Sequence, residues 1–230
     1  MAPPRLNSQM KPFARAEDLA AELPTSTHDQ VWHVGWFDGR QRSWSAEGRL
    51  LSVSEHPDEW TEIAKLGGAP KWELRPVGER GDPRPSRFIT VTEIGPQQAE
   101  RIYRWGQACG LVDAATIWTA TWFDDEWEDL MVVQATSRQE LEDELCGIDA
   151  EITHQDGWVA TARLGEQVGR DGKLLRGEEI DPLDHLCALL AEAGGHDGLW
   201  WDEMLDPDRL SAPRGGIGAW AWVRWSAQLA

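Results

Sequence analysis

VWHVGWFDG at residues 31–39 returns 86 positions later as IWTATWFDD at 117–125, so Trp32, Trp36, Phe37 and Asp38 align with Trp118, Trp122, Phe123 and Asp124. Both copies are rich in β-branched and aromatic residues, which suit a pleated, half-buried surface. Trp32, Val34 and Trp36 recur at period two, as do Trp118, Ala120 and Trp122, so each set lies on one face of a strand. Asp38-Gly39 is a turn dipeptide that tolerates positive φ; Asp124-Asp125 is a weaker turn signal. The stretch reads as the opening strand of a unit that the chain uses twice.

The elements that follow each copy repeat in order. After the first come short strands within 42–53, a helix over 57–66, strands at 71–75 and 88–94, and a helix from Gly95-Pro96 to Cys109-Gly110. Pro57 suits a first helical turn, Asp58 and Glu59 favour its dipole, and Gly67-Gly68 stops it. Trp60, Ile63 and Ala64 give that helix an inward stripe, and Ala99, Ile102, Tyr103 and Gly106 line one side of the later one. After the second copy come a strand at 130–136 and a helix at 138–146, with Ser137 opening a Ser-x-x-Glu capping pattern. Strands at 148–154 and 157–163 are expected to meet at an Asp156-Gly157 hairpin. A helix then runs from Asp181-Pro182 to about Ala193, with Leu183, Leu186, Cys187, Leu190 and Ala191 at i, i+3, i+4, i+7 and i+8.

The expected fold is therefore α+β: two pseudo-repeated β-β-α-β-β-α units, each an antiparallel sheet covered by helices, plus a Trp-rich C-terminal strand. The divisions fall at 1–28 (an N-terminal tail, unstructured over 1–12, and a short helix at about 14–22), 29–112, 113–195 and 196–230. The last segment holds five of the fifteen tryptophans. Its GAWAWVRW, residues 218–225, is expected to be a strand packed across both units, and Trp200-Trp201 point opposite ways if extended.

No apolar run approaches the roughly 18–20 residues that cross a bilayer. MAPPRLNSQMKPFAR lacks the apolar segment of a secretory signal, so a cytoplasmic protein is expected. Cys109, Cys146 and Cys187 are odd in number and widely spaced, which argues against a disulfide framework or a zinc site.

Charge is the most informative quantity. Residues 1–110 carry 15 acidic and 14 basic residues, a net of −1, whereas residues 111–230 carry 25 and 8, a net of −17. A surface charged only for solubility has no reason to be partitioned so, and the asymmetry marks a partner surface. The acids concentrate at Asp124, Asp125, Glu126, Glu128, Asp129, Glu140, Glu142, Asp143, Glu144, Asp149 and Glu151, against Arg138 alone. Glu140 and Glu144 form a like-charge i, i+4 pair that weakens an isolated helix. DDEWED lacks the glycine and spacing of a calcium loop, and acids on an exposed turn are not desolvated for acid–base work.

The histidines form no metal or nucleophile pattern. His33 is expected as a partly exposed strand residue, and His185 on a different helix face from Cys187. Ser211 lacks a nucleophile elbow, and RGGIG at 214–218 is neither a P-loop nor a dinucleotide fingerprint. No catalytic residue, metal or cofactor is assigned. The expectation is a non-enzymatic acidic protein that engages and inhibits a basic protein partner, in the manner of toxin-immunity proteins or nucleic-acid mimics. Asp124, Asp125, Glu126, Glu128, Asp129, Glu140, Asp143 and Glu144 would supply the charge and Trp127 an aromatic anchor. The −17 half is not expected to touch nucleic acid, nor any part of the chain a membrane. One alternative is an enzyme or small-ligand protein using a mobile polar loop of His196, Asp197, Asp202 and Glu203 with Trp200 and Trp201. The other is a subunit of a larger protein or nucleoprotein assembly.

Overall fold

A computed structural model describes residues 15–35, 50–125, 128–168, 173–174, 179–201 and 213–230. The expectations for residues 1–12, Trp36 and Phe37, the Asp38-Gly39 turn, the short strands over 42–49, Glu126, Trp127, Asp202, Glu203 and Ser211 fall outside these residues. In chain order the helices are α1 (Ala16–Ala21), α2 (Pro57–Ile63), α3 (Pro96–Ala108), α4 (Arg138–Leu145), α5 (Ala162–Val168) and α6 (Leu183–Ala193). The strands are β1 (Thr25–Ser26), β2 (Val31–Val34), β3 (Leu50–Ser54), β4 (Lys71–Pro76), β5 (Phe88–Thr90), β6 (Val112–Asp124), β7 (Asp129–Ala135), β8 (Glu151–Ala160), β9 (Gly198–Trp201), β10 (Arg214–Gly218) and β11 (Trp225–Leu229). The fold is α+β.

The strands form two sheets, an eight-stranded one in the order β1-β5-β9-β10-β3-β2-β4-β11 and a three-stranded one in the order β7-β6-β8. Only β5 and β9 run parallel in the large sheet. Each half contains a β-β-α-β run whose first strand ends up in the middle, β3-β2-β4 and β7-β6-β8. The register matches too. Trp32 lies opposite Ser54 and Trp118 opposite Ala135, in both cases the last residue of the next strand. The second half then departs from the first: β8 leads into α5 rather than into a further strand.

The expected hairpin at Asp156-Gly157 does not form. Every residue of β8 continues the ladder with β6, from Glu151 opposite Thr121 to Ala160 opposite Val112. Gly157 serves a different need, because a Cβ there would meet Ile117 Cγ1 at 2.7 Å. The glycine makes room across the strand pair instead of turning the chain.

The C-terminal segment is more than a clasp. β9 and β10 fill the space between β5 and β3, and β11 adds to the outer edge of β4. RGGIG is thus an interior strand, disguised in sequence because glycines stand where side chains would collide. A Cβ on Gly198 would meet Gly216 O at 1.8 Å, and one on Gly215 would meet the Trp200 ring at 2.2 Å. The expected strand over 218–225 is instead a 3-10 turn at Ala219–Arg224 followed by β11. Trp220 Nε1 donates to His196 O at 3.0 Å, and the Arg224 guanidinium reaches the carbonyls of Gly195 and His196, so the coil is fixed by contacts distant in sequence.

Both faces of the large sheet are covered. Leu50, Ile89, Leu199 and Trp201 face the helical layer of α1, α3, α5 and α6. Leu51, Val53, Phe88, Trp200 and Ile217 face the other way, toward Ala221, Trp225 and partly buried Trp72, Trp220 and Trp222. Burial on both sides explains why β5 does not alternate and why His33 is buried, its ring Nδ1 2.8 Å from Ser52 O. The stripe of α2 is only half-buried. α6 packs on α1 and α3, so the two halves share one core and are not separate bodies.

The three-stranded sheet is rooted in that core and extends from it. Val112 at the start of β6 and Trp158 and Ala160 at the end of β8 belong to the helical layer, with Tyr103 stacked on Trp158 at 5.3 Å. Thirteen residues of β6 then carry it roughly 40 Å. Toward the far end a separate small core forms from Ala120, Ala135, Leu141 and Leu145, with Trp118, Trp122, Val133 and Ile152 packed on it. We call this part the arm.

Candidate interaction surface

α4 covers one side of the arm. Ser137 Oγ accepts from Glu140 N at 3.2 Å, starting the helix, and Cys146 (φ 48°) and Gly147 (φ 91°) in left-handed conformations end it. Leu141 and Leu145 point inward; Arg138, Glu140, Glu142, Asp143 and Glu144 are exposed. Apart from Glu140, which sits favourably in the first turn, the charges oppose the helix dipole. The lone cation, Arg138, is in the first turn, and Glu142, Asp143 and Glu144 crowd the last, where anions are disfavoured by about 0.3–1 kcal/mol each. Arg138 is spent on Glu142 at 2.7 Å, with its guanidinium 5.9 Å from the Trp118 ring.

The hairpin tip repeats the pattern. Asp124 and Asp129 are directly opposed across β6 and β7, an arrangement that weakens a strand pair. They are in phase with Trp122 and Val133, which pack under α4, so the tip acids and the helix acids share one side. Asp125 and Glu128 stand between them at the turn. Ser137, Gln139, Glu140, Asp143, Glu144 and Cys146 line a shallow depression on this side.

Among the described residues, no element covers the opposite side of the arm. Phe123 and Leu130 are a cross-strand pair, each 61% exposed, and Val132 beside them is 55% exposed. Thr119, Thr121, Gln134, Glu151 and Thr153 share this face by register. An exposed apolar centre with a largely polar rim has the anatomy of a protein–protein interface, and the acids flank it from the other side of the arm. Sequence reasoning found the acids and missed Phe123, Leu130 and Val132 as surface residues. The run Leu130-Met131-Val132-Val133 holds the signal, but only the absence of a layer over one face turns it into a surface.

The alternative site has a different character. His196 and Asp197 are each 1% exposed, and Trp200 and Trp201 lie in the core on opposite faces of β9. The loop is therefore not a mobile polar one. Asp197 accepts two hydrogen bonds from Arg84 at 2.7 and 2.8 Å and one from Arg87 N at 2.9 Å, with Arg224 at 3.3 Å. This clasp ties the 83–87 loop to the C-terminal strands. His196 is held below its ordinary pKa of 6.5 by burial and then by Arg87, and its Nδ1 has no hydrogen-bond partner among the described residues.

One polar row was not foreseen. Glu55 Oε1 lies 2.7 Å from His28 Nδ1, and His28 Nε2 lies 3.1 Å from Ser26 Oγ. The order is that of an acid–base–nucleophile relay. The Trp200 ring stacks on the imidazole at 3.8 Å, the carboxylate is exposed, and His28 N is engaged by Ser86 Oγ at 2.7 Å, so no donor is presented there for an oxyanion. The row straps β1 to the end of β3.

Among the described residues no group of three or more His, Cys, Asp or Glu side chains converges as a metal site, and no helix is long and apolar enough to cross a membrane. No protein-family model matches the chain, and neither a curated protein nor a solved structure does.

Proposed function

We propose that this chain is a cytoplasmic, non-enzymatic acidic protein that engages and inhibits a basic protein partner, such as a toxin, a nuclease or another nucleic-acid-binding protein, through the arm. One observation carries the reading: the arm's charges are set against its own folding. Glu142, Asp143 and Glu144 occupy the wrong end of α4, Asp124 and Asp129 oppose each other across β6 and β7, and Phe123, Leu130 and Val132 are left in solvent on the other side of the same arm. Arg138 offsets Glu142 and Gln139 bonds Asp143, but the dipole, the opposed aspartates and the solvated apolar side chains all count against local stability. A cationic partner relieves all three, since it neutralises the repulsion and buries the apolar centre. Covering the cationic face that a nuclease or toxin uses is in turn the simplest route to inhibition.

The test compares tagged wild type with the Glu140→Lys/Asp143→Lys/Glu144→Lys variant in capture from native lysate, followed by affinity measurement against any basic protein recovered. Wild type should retain that protein, and the variant should bind at least tenfold more weakly with a flatter dependence on salt. Equal binding by the two would remove the acidic side of the arm from the function.

A further inference from the structure

β7 is an edge strand that, among the described residues, is guarded by acidic charge alone. Edges are ordinarily blunted by brevity, proline, lysine, a bulge or a covering element. β7 has seven residues, Asp129 to Ala135, with no proline, lysine or arginine and an unbroken register against β6. Among the described residues no strand pairs with its outer side. The other edges differ. β1 has two residues. The inner half of β8 is covered by the 179–181 segment, through Ala160 N to Glu179 O at 2.7 Å and Asp181 N to Trp158 O at 3.1 Å. β11 has five residues, of which Leu229 is the one exposed large apolar side chain.

We propose that the outer edge of β7 receives an extended segment of the basic partner as a fourth strand of the arm. This rests on reading the arm as a partner surface and adds the mode of engagement, strand addition. Charge chooses the occupant. A second copy of this chain would set Asp129 and the α4 acids against their own kind, whereas a cationic strand meets them favourably. The two sides of β7 also specify a pattern. Leu130 and Val132 project from the open face, so alternate residues of the incoming strand should be apolar. On the other side, Thr136 Oγ1 donates to Glu140 at 3.3 Å, while Arg138 and Glu142 lie toward Trp118, which stacks on His154 of β8 at 4.8 Å. The Glu140 row of α4 therefore flanks the β7 edge, and the intervening residues of the partner strand should be lysine or arginine.

A ten-residue peptide of alternating valine and lysine, added to the full chain, is the probe. Its controls are the same peptide N-methylated at alternate amides, which keeps charge and side chains but removes strand donors, and an isomer with the lysines blocked at one end. The alternating peptide should slow amide hydrogen exchange across 129–135, and N-methylation should weaken its binding at least tenfold. Equal affinity for the methylated or blocked peptide, lost in the Glu140→Lys/Asp143→Lys/Glu144→Lys variant, would leave the acidic surface standing and overturn strand addition. Failure of all three peptides would overturn strand addition as well, and lysate capture would then decide the partner reading separately. A concentration-dependent dimer that protects 129–135 without peptide would assign the edge to a second copy and overturn the proposal.

Discussion

The two β-β-α-β runs share a plan and a register but have opposite fates. In the first, β10 and β11 close over β3 and β4, so that Val31, His33 and Val34 are all buried. In the second, neither outer strand receives a partner of comparable length among the described residues, and the far end keeps Phe123, Leu130 and Val132 in solvent. The concentrated negative charge lies in this second run. A ladder-forming unit becomes core when other strands cover its edges, and becomes surface when they do not.

Three changes break or sharpen this contrast. The largest effect is expected from Asp197→Ala, which leaves Arg84 and Arg224 without the carboxylate that pins the C-terminal strands. Removing one partner of a buried ion pair costs about 3–5 kcal/mol, and urea unfolding should show that loss for the large sheet. A loss below about 1 kcal/mol would mean that the inserted strands hold themselves.

Next comes Leu141→Ala, which empties the arm's own small core. A fully buried leucine replaced by alanine costs about 2–5 kcal/mol. Here hydrogen exchange should speed up in residues 117–152 while β3, β9 and β10 stay protected. Uniform acceleration through both sheets would show that the arm and body unfold as one unit.

The smallest effect concerns acid. Because folded His196 has a pKa below its ordinary 6.5, the unfolded chain takes up its proton first. Stability contributed by the neutral ring is complete above pH 6.5 and declines as pH falls from there toward the folded value. Thermal unfolding of the wild type should weaken over that interval, and His196→Gln should flatten the dependence. An unchanged slope in the variant would assign the acid sensitivity to other groups.

Several parts of this structure were legible in the residues. The period-two set Trp118, Ala120 and Trp122 located β6, Ser137 located the start of α4, and the apolar spacing of Leu186, Cys187, Leu190 and Ala191 located the buried side of α6. The acids that concentrate over 124–151 were legible as composition, and they fall on the arm. Each is a local signal, set by side-chain period, capping chemistry or composition, and needs no knowledge of what lies across the sheet. Gly157 and Gly215 were not legible. A glycine that turns a chain and one that makes room for Ile117 or Trp200 are written with the same letter, and only the partner strand distinguishes them. The same holds for the aromatics. The sequence determined that Trp122 and Phe123 lie on a strand and alternate in direction, and that Trp200 and Trp201 would do so if extended. Whether each became core or surface was decided by the tertiary structure, because burial depends on whether a second layer covers a face, and that layer came from residues far away in the chain.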